Sequence, residues 1–262
     1  MNKTKADQYV RQRADELRSL ARVLHDEDLV RDPGPLNQAA SQCQSSRQNN
    51  NQYRWGYEFH GLTFRPLRPI EDRLRHHRPR TLREVAVELH LSLSGPCLDD
   101  GHEVDPFDLL TVELELTGET ASGQVLTAAW HLDRHPVDSD PDPESHDSAF
   151  AHPHYHFHCG GRRLWPKPDS EFGTHLVLEA PRVAHPPMDA VLGVDFVLSN
   201  YFGSQWKALR SDSPVYRSLV HSAQQRLWRP YAMAAADHWI TGKGPWDSLL
   251  VWPQLFPFGT EF

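Results

Sequence analysis

The chain has 262 residues, 39% of them hydrophobic, and a formal charge of −8 at pH 7 with its seventeen histidines counted as neutral. That length builds one large domain or a domain with a helical annex, and the acidic balance argues against a generally basic nucleic-acid-binding coat. No run of about 18 apolar residues occurs, and the opening Met1-Asn2-Lys3-Thr4-Lys5 leads into a charged segment, so the expectation is a soluble cytoplasmic protein with no membrane contact.

Residues 1–30 form the first unit. Val10, Ala14, Leu17, Leu20, Ala21 and Leu24 recur at helical spacing, which predicts an amphipathic docking helix over 5–25. Residues 31–52 follow Asp32-Pro33-Gly34-Pro35 with a Gln/Asn/Ser-rich stretch and read as a polar linker or loop. Residues 53–262 read as a single α+β domain. Strands are expected at 53–64, 84–94, 109–116 and 124–132, the last two flanking the turn-like segment 117–123, with a short basic helix at 70–77. The Asp- and Pro-rich stretch within 135–150 is too polar to pack and reads as a flap or insertion.

Ala151 to Gly161 then reads Ala-His-Pro-His-Tyr-His-Phe-His-Cys-Gly-Gly, with imidazoles at His152, His154, His156 and His158. Strand side chains alternate between faces, so Tyr155, Phe157 and Cys159 are expected to face a core while the histidines share the other side. A strand at 175–179 follows, and the last third is helical. One helix is expected over 187–202, apolar on nearly every side, and a second over 214–239, broken near Arg229-Pro230. An aromatic tail closes the chain. The expected fold is an antiparallel meander of about five or six strands packed against the C-terminal helices, with the N-terminal helix at an edge.

Imidazole is the commonest metal ligand and titrates nearest neutral pH. Two histidines at i and i+2 can tilt toward one ion, but three in a line cannot easily do so, and a further ligand must come from another element. His131 and Asp133 supply that need if their strand neighbours the histidine strand. The candidate metal ligands are therefore His131, His154 and His156, with zinc or manganese as the expected divalent ion. The candidate catalytic set is Asp133, His154, His156, His158, Arg182 and Asp195. Asp195 lies inside the apolar stripe of its helix, so its carboxylate needs a partner, for which Arg182 and the histidine face are the candidates.

Three functional readings follow: a His/Asp-site, metal-dependent hydrolase or nuclease acting on a phosphodiester; a non-enzymatic subunit that binds a protein partner within a multi-component bacterial system such as phage defence; and a thioester carrier. The last rests on Cys159, seven residues after His152-Pro153, which loosely resembles the arrangement in ubiquitin-conjugating enzymes. The three cysteines, Cys43, Cys97 and Cys159, form no Cys-x-x-Cys knuckle. The run His152-Pro153-x-x-His156-x-His158, then Ala180-Pro181-Arg182-Val183, then Val194-Asp195-Phe196-Val197-Leu198-Ser199-Asn200-Tyr201-Phe202 resembles the bacterial domain-of-unknown-function family 2290 over about residues 85–240. The resemblance implies that His152, His156, His158 and Arg182 hold recurring positions. It implies no reaction.

Overall fold

The computed structural model describes residues 1–47, 52–68, 82, 84–98, 105–120, 122–134, 153–160, 182–241, 248–251 and 254. The expected helix at 70–77, the acidic stretch within 138–147, His152, the expected strand at 175–179 and most of the aromatic tail lie outside them.

The fold is α+β, as the alternation and helical periodicity predict. Among the described residues seven antiparallel strands pair in strict chain order: β1 (Ser46–Arg47), β2 (Tyr53–Thr63), β3 (Val85–Pro96), β4 (Leu109–Glu119), β5 (Val125–Arg134), β6 (Tyr155–Cys159) and β7 (Val183–Ala184). Five of them are five residues or longer, and among the described residues the two-residue strands β1 and β7 are outermost. The β4–β5 hairpin is tied by Thr120, whose hydroxyl accepts from the Gln124 amide at 3.0 Å, and Gly123 takes the positive φ of 82° that the turn demands.

Period-two alternation sorts the sheet into two unlike faces. Leu91, Val112, Leu132 and Phe157 pair in a row across β3 to β6 on the apolar side. Among the described residues, α1 (Lys3–Asp26), α3 (Ala190–Tyr201) and α5 (Pro214–Ile240) contribute to the hydrophobic core on that side. Tyr9 on α1 meets the edge of the Trp55 ring with centroids 5.4 Å apart, and Phe196 on α3 meets Phe157 at 5.1 Å. The α1 residues share one hydrophobic core with the sheet, so this helix is integral to the domain.

Several elements depart from the sequence expectation. The polar linker contains α2 (Gly34–Gln42), which buries Leu36, Ala39 and Ala40 and packs on α1 and β2; its three apolar residues carry helical spacing inside a polar composition. The helix expected from residue 187 begins at Ala190, because Asp189 caps it by accepting from the Leu192 amide at 3.1 Å. A separate helix, α4 (Gly203–Asp212), buries only Leu209 and so leaves little periodic signal. α5 runs through Pro230 unbroken, since Leu227, Tyr231, Ala234 and His238 keep one buried face continuous across the proline. A short helix, α6 (Ser248–Val251), follows in the tail.

A buried charge network ties the helical layer together. Arg226 on α5 donates to Asp189 at 2.5 Å and reaches Glu16 on α1 at 3.3 Å, while Arg13 donates to the same Glu16 at 2.8 Å. Burial works against the Arg226 charge, but Asp189 and Glu16 outweigh it and raise its pKa. Asp189 thus caps α3 with one oxygen and receives Arg226 with the other. Arg226→Met takes the guanidinium from the buried Asp189 carboxylate, leaves Glu16 with Arg13, and is expected to cost about 3–5 kcal/mol. Urea unfolding would show a lower midpoint at unchanged slope; an unchanged midpoint would remove the clamp from the account.

Candidate metal centre

The second face of the sheet is polar. Across it Ser92, Thr111, Asp133, His156 and Ala184 pair in one row from β3 to β7, and His90, Glu113, His131 and His158 pair in the next. Where β5 and β6 meet, these rows form a two-by-two block. His131 lies directly opposite His158, and Asp133 directly opposite His156. Opposed residues in an antiparallel pair hold their Cβ atoms about 4.5–5.5 Å apart, so the four side chains rise together from one patch of sheet.

They converge. One donor atom from each of His131, Asp133, His156 and His158 lies within 4.8 Å of every other, and the group could hold a metal ion. His131 Nε2 stands 2.7 Å from Asp133 Oδ2 and also meets His158 Nε2. The His131 and His158 rings cross edge to face with centroids 3.6 Å apart. His156 is buried, while the Asp133 side chain keeps 33% of its exposure, so the block opens toward solvent on the carboxylate side. Burial pushes the Asp133 carboxyl up, but the hydrogen bond from His131 and the charges of His131, His156 and His158 outweigh it and lower its pKa. An acceptor held ionised among imidazoles is a suitable donor set for a divalent cation.

The strand pairing therefore brings together four of the sequence candidates, two from β5 and two from β6. His154 is not among them. The strand begins at Tyr155, so His154 sits on the bend before it, outside the alternation, and its Nε2 bonds Asp105 Oδ2 at 2.5 Å. Asp105 also accepts from Arg134 Nε at 2.9 Å and from the Tyr155 hydroxyl. This knot, joining the residues before β4 to the end of β5 and the start of β6, pins the entry of the histidine strand. Asp105 was not legible as a partner, because 49 residues separate it from His154 and no local pattern marks it.

Asp195 is a structural residue of the opposite, apolar side. It needs a partner as expected, but the partner is Arg210 at 2.7 Å, with the Trp206 indole N–H and the Tyr216 hydroxyl each donating at 2.9 Å. Its carboxylate therefore joins α3, α4 and α5, rather than Arg182 or the histidine face. Arg182 is half-buried immediately before β7. Cys159, expected on the core side, is exposed because it is the last residue of β6, and burial still pushes its thiol pKa up. That direction opposes the thiolate a carrier would need.

No family model, no curated protein and no solved structure matches the chain. Among the described residues no helix is long and apolar enough to cross a membrane.

Two outcomes separate the block from the knot beside it. His131→Ala or His158→Ala is expected to weaken zinc binding by more than about a hundredfold, beyond the loss that removal of an outer hydrogen-bond partner causes, whereas Asp195→Asn leaves it unchanged; isothermal titration of the metal-free proteins reads both. Asp105 behaves differently. Burial pushes its carboxyl up, yet the His154 hydrogen bond and charge, with Arg134 and Tyr155, outweigh this and lower its pKa. The resulting stabilisation is fully present above the unfolded-state pKa of about 3.9 and is lost as pH falls through the lower native value. Asp105→Asn should thus cost about 3 kcal/mol near neutral pH and lose less stability than the parent on acidification to about pH 3. Urea unfolding at both pH values checks this, and parallel losses would contradict it.

Proposed function

We propose that this protein is a divalent-metal-dependent hydrolase acting on a phosphodiester. The observation that carries the reading is the convergence of His131, Asp133, His156 and His158 on one point of the sheet. Zinc is the first expected ion, because three imidazoles suit it, and manganese the second, because the carboxylate and open positions suit a harder ion.

Two features support catalysis over a purely structural ion. All four donors rise from the same side of the sheet, so an ion held by them would keep its outward side for water. A bound divalent ion lowers the pKa of such a water toward neutrality and makes it a nucleophile. Asp133, the carboxylate at the exposed side, stands beside His131 and is placed to receive a hydrogen bond from that water. The charge balance supports an anionic substrate. Three neutral imidazoles and one carboxylate leave a divalent ion with a net positive charge, a local attraction for a phosphodiester on a chain whose formal charge is −8.

A second reading, a non-enzymatic interaction subunit, draws on the exposed Trp239 and Ile240 at the end of α5, which retain 73% and 74% of their accessible surface. Apolar side chains so exposed suit a protein contact.

Metal analysis of the purified, untagged protein separates the readings. Stoichiometric zinc or manganese is expected, absent from His131→Ala, together with hydrolysis of bis(p-nitrophenyl) phosphate that chelation abolishes and the metal restores. Imidazole ligands must be deprotonated, so metal occupancy should fall on acidification. Protein that takes up no ion, with stability unaffected by His131→Ala, would sink the hydrolase and favour the interaction subunit.

A further inference from the structure

We propose that the Thr111 hydroxyl is the phosphoryl-binding donor of the candidate metal centre, holding one oxygen of the substrate while the ion holds another. The proposal rests on the metal-dependent reading above and names the side of the ligand block on which an anionic substrate lies.

Strand register gives the placement. Thr111 on β4 is the direct partner of Asp133 on β5, which in turn faces His156 on β6. Directly opposed residues put their side chains on one face with Cβ atoms about 4.5–5.5 Å apart, so Thr111 adjoins the ligand block on its β4 flank. The block's other neighbour on β4 is Glu113, the direct partner of His131. That flank therefore offers a neutral hydroxyl in one row and a carboxylate in the next. β3 repeats the contrast, with Ser92 opposite Thr111 and His90 opposite Glu113.

Charge and exposure choose the same row. A phosphodiester is repelled by the Glu113 carboxylate, whereas threonine and serine hydroxyls are common donors to phosphate oxygens. The Asp133 side chain keeps 33% of its exposure against 15% for His131, so the block is more open in the row that contains Thr111 than in the row that contains Glu113. Thr111 is itself half-buried. Thr117, on the same strand and face, donates to Glu115 at 3.4 Å, whereas the Thr111 hydroxyl has no hydrogen-bond partner among the described residues. A donor carried on a central strand, one strand from the ligands, is preorganised for an oxygen that the ion has already brought close. Ser92 stands a further strand away, about 4.8 Å, beyond a phosphoryl group seated on the ion. In this arrangement Thr111 binds and orients the ester, and Asp133 serves the attacking water.

Inorganic phosphate is titrated by isothermal calorimetry into the zinc-loaded parent, Thr111→Val, Thr111→Ser and Ser92→Ala, with zinc content and thermal unfolding measured on each. Valine keeps the branching of threonine at Cβ and removes only the hydroxyl, so zinc content and unfolding are expected to match the parent. Phosphate affinity should fall about tenfold in Thr111→Val, the loss of one hydrogen bond to a charged group. It should return toward the parent value in Thr111→Ser and be unchanged in Ser92→Ala. Zinc-loaded Thr111→Val that binds phosphate as the parent does would overturn the donor role and leave the hydrolase reading standing. An equal loss in Ser92→Ala would overturn it too, because the effect would not be local to the position beside Asp133. Loss of zinc in Thr111→Val would make the residue a support of the ligand block instead of a donor to substrate. A zinc-loaded parent that binds no phosphate also overturns the proposal, and its activity on bis(p-nitrophenyl) phosphate then decides the hydrolase reading separately. A parent that takes up neither zinc nor manganese sinks both, since they share the ion.

Discussion

Everything at the candidate metal centre depends on the register between β5 and β6. His131 opposes His158 and Asp133 opposes His156, and a slip of β6 by one residue would turn Phe157 to the polar face and send His156 and His158 toward the core. The apolar row therefore enforces the polar one. Burying Leu132 completely, against a Phe157 ring that packs on Phe196, is worth a few kcal/mol at about 25 cal/mol per Å². A slipped pairing would forfeit that gain and bury charges besides. The precision of the ligand block is thus a by-product of hydrophobic packing on the reverse of the same two strands.

The buried charges act at the places where register and packing alone would leave freedom. Asp105 gathers His154, Arg134 and Tyr155 at the end of the sheet where β6 enters. Asp195 gathers Trp206, Arg210 and Tyr216 where α3, α4 and α5 meet. Arg226 joins α1, α3 and α5 through Glu16 and Asp189. Each is a carboxylate or guanidinium whose desolvation is offset by several directed bonds, so each tolerates only one arrangement of its elements. The Asp195 and Arg226 knots hold the helical layer together, and the Asp105 knot fixes the end of the sheet where β6 enters.

Much of the architecture was legible as periodicity. The long strands, α1 and the two-faced sheet are written in alternation and in the 3.6-residue repeat, because burial of one face imposes those periods directly on the residues. α2 was concealed by a polar composition around Leu36, Ala39 and Ala40, and α4 by the near absence of a buried stripe. The run of histidines pointed to β6, which carries His156 and His158 of the candidate block. It pointed also to His154, because alternation cannot show where a strand begins, and here it begins one residue later.

By itself the sequence determined which side chains alternate, and hence that His156 and His158 share a face and that His131 and Asp133 share one. It determined, too, that Asp195 must have a partner, since an apolar helix stripe makes an isolated carboxylate too costly. Only the tertiary structure decided that these two pairs lie on neighbouring strands in direct opposition, that Asp105 claims His154 and that Arg210 claims Asp195. The reason is physical. Alternation and amphipathicity are local consequences of burial, whereas partners many residues apart are selected by strand pairing and helix packing, which no single segment encodes.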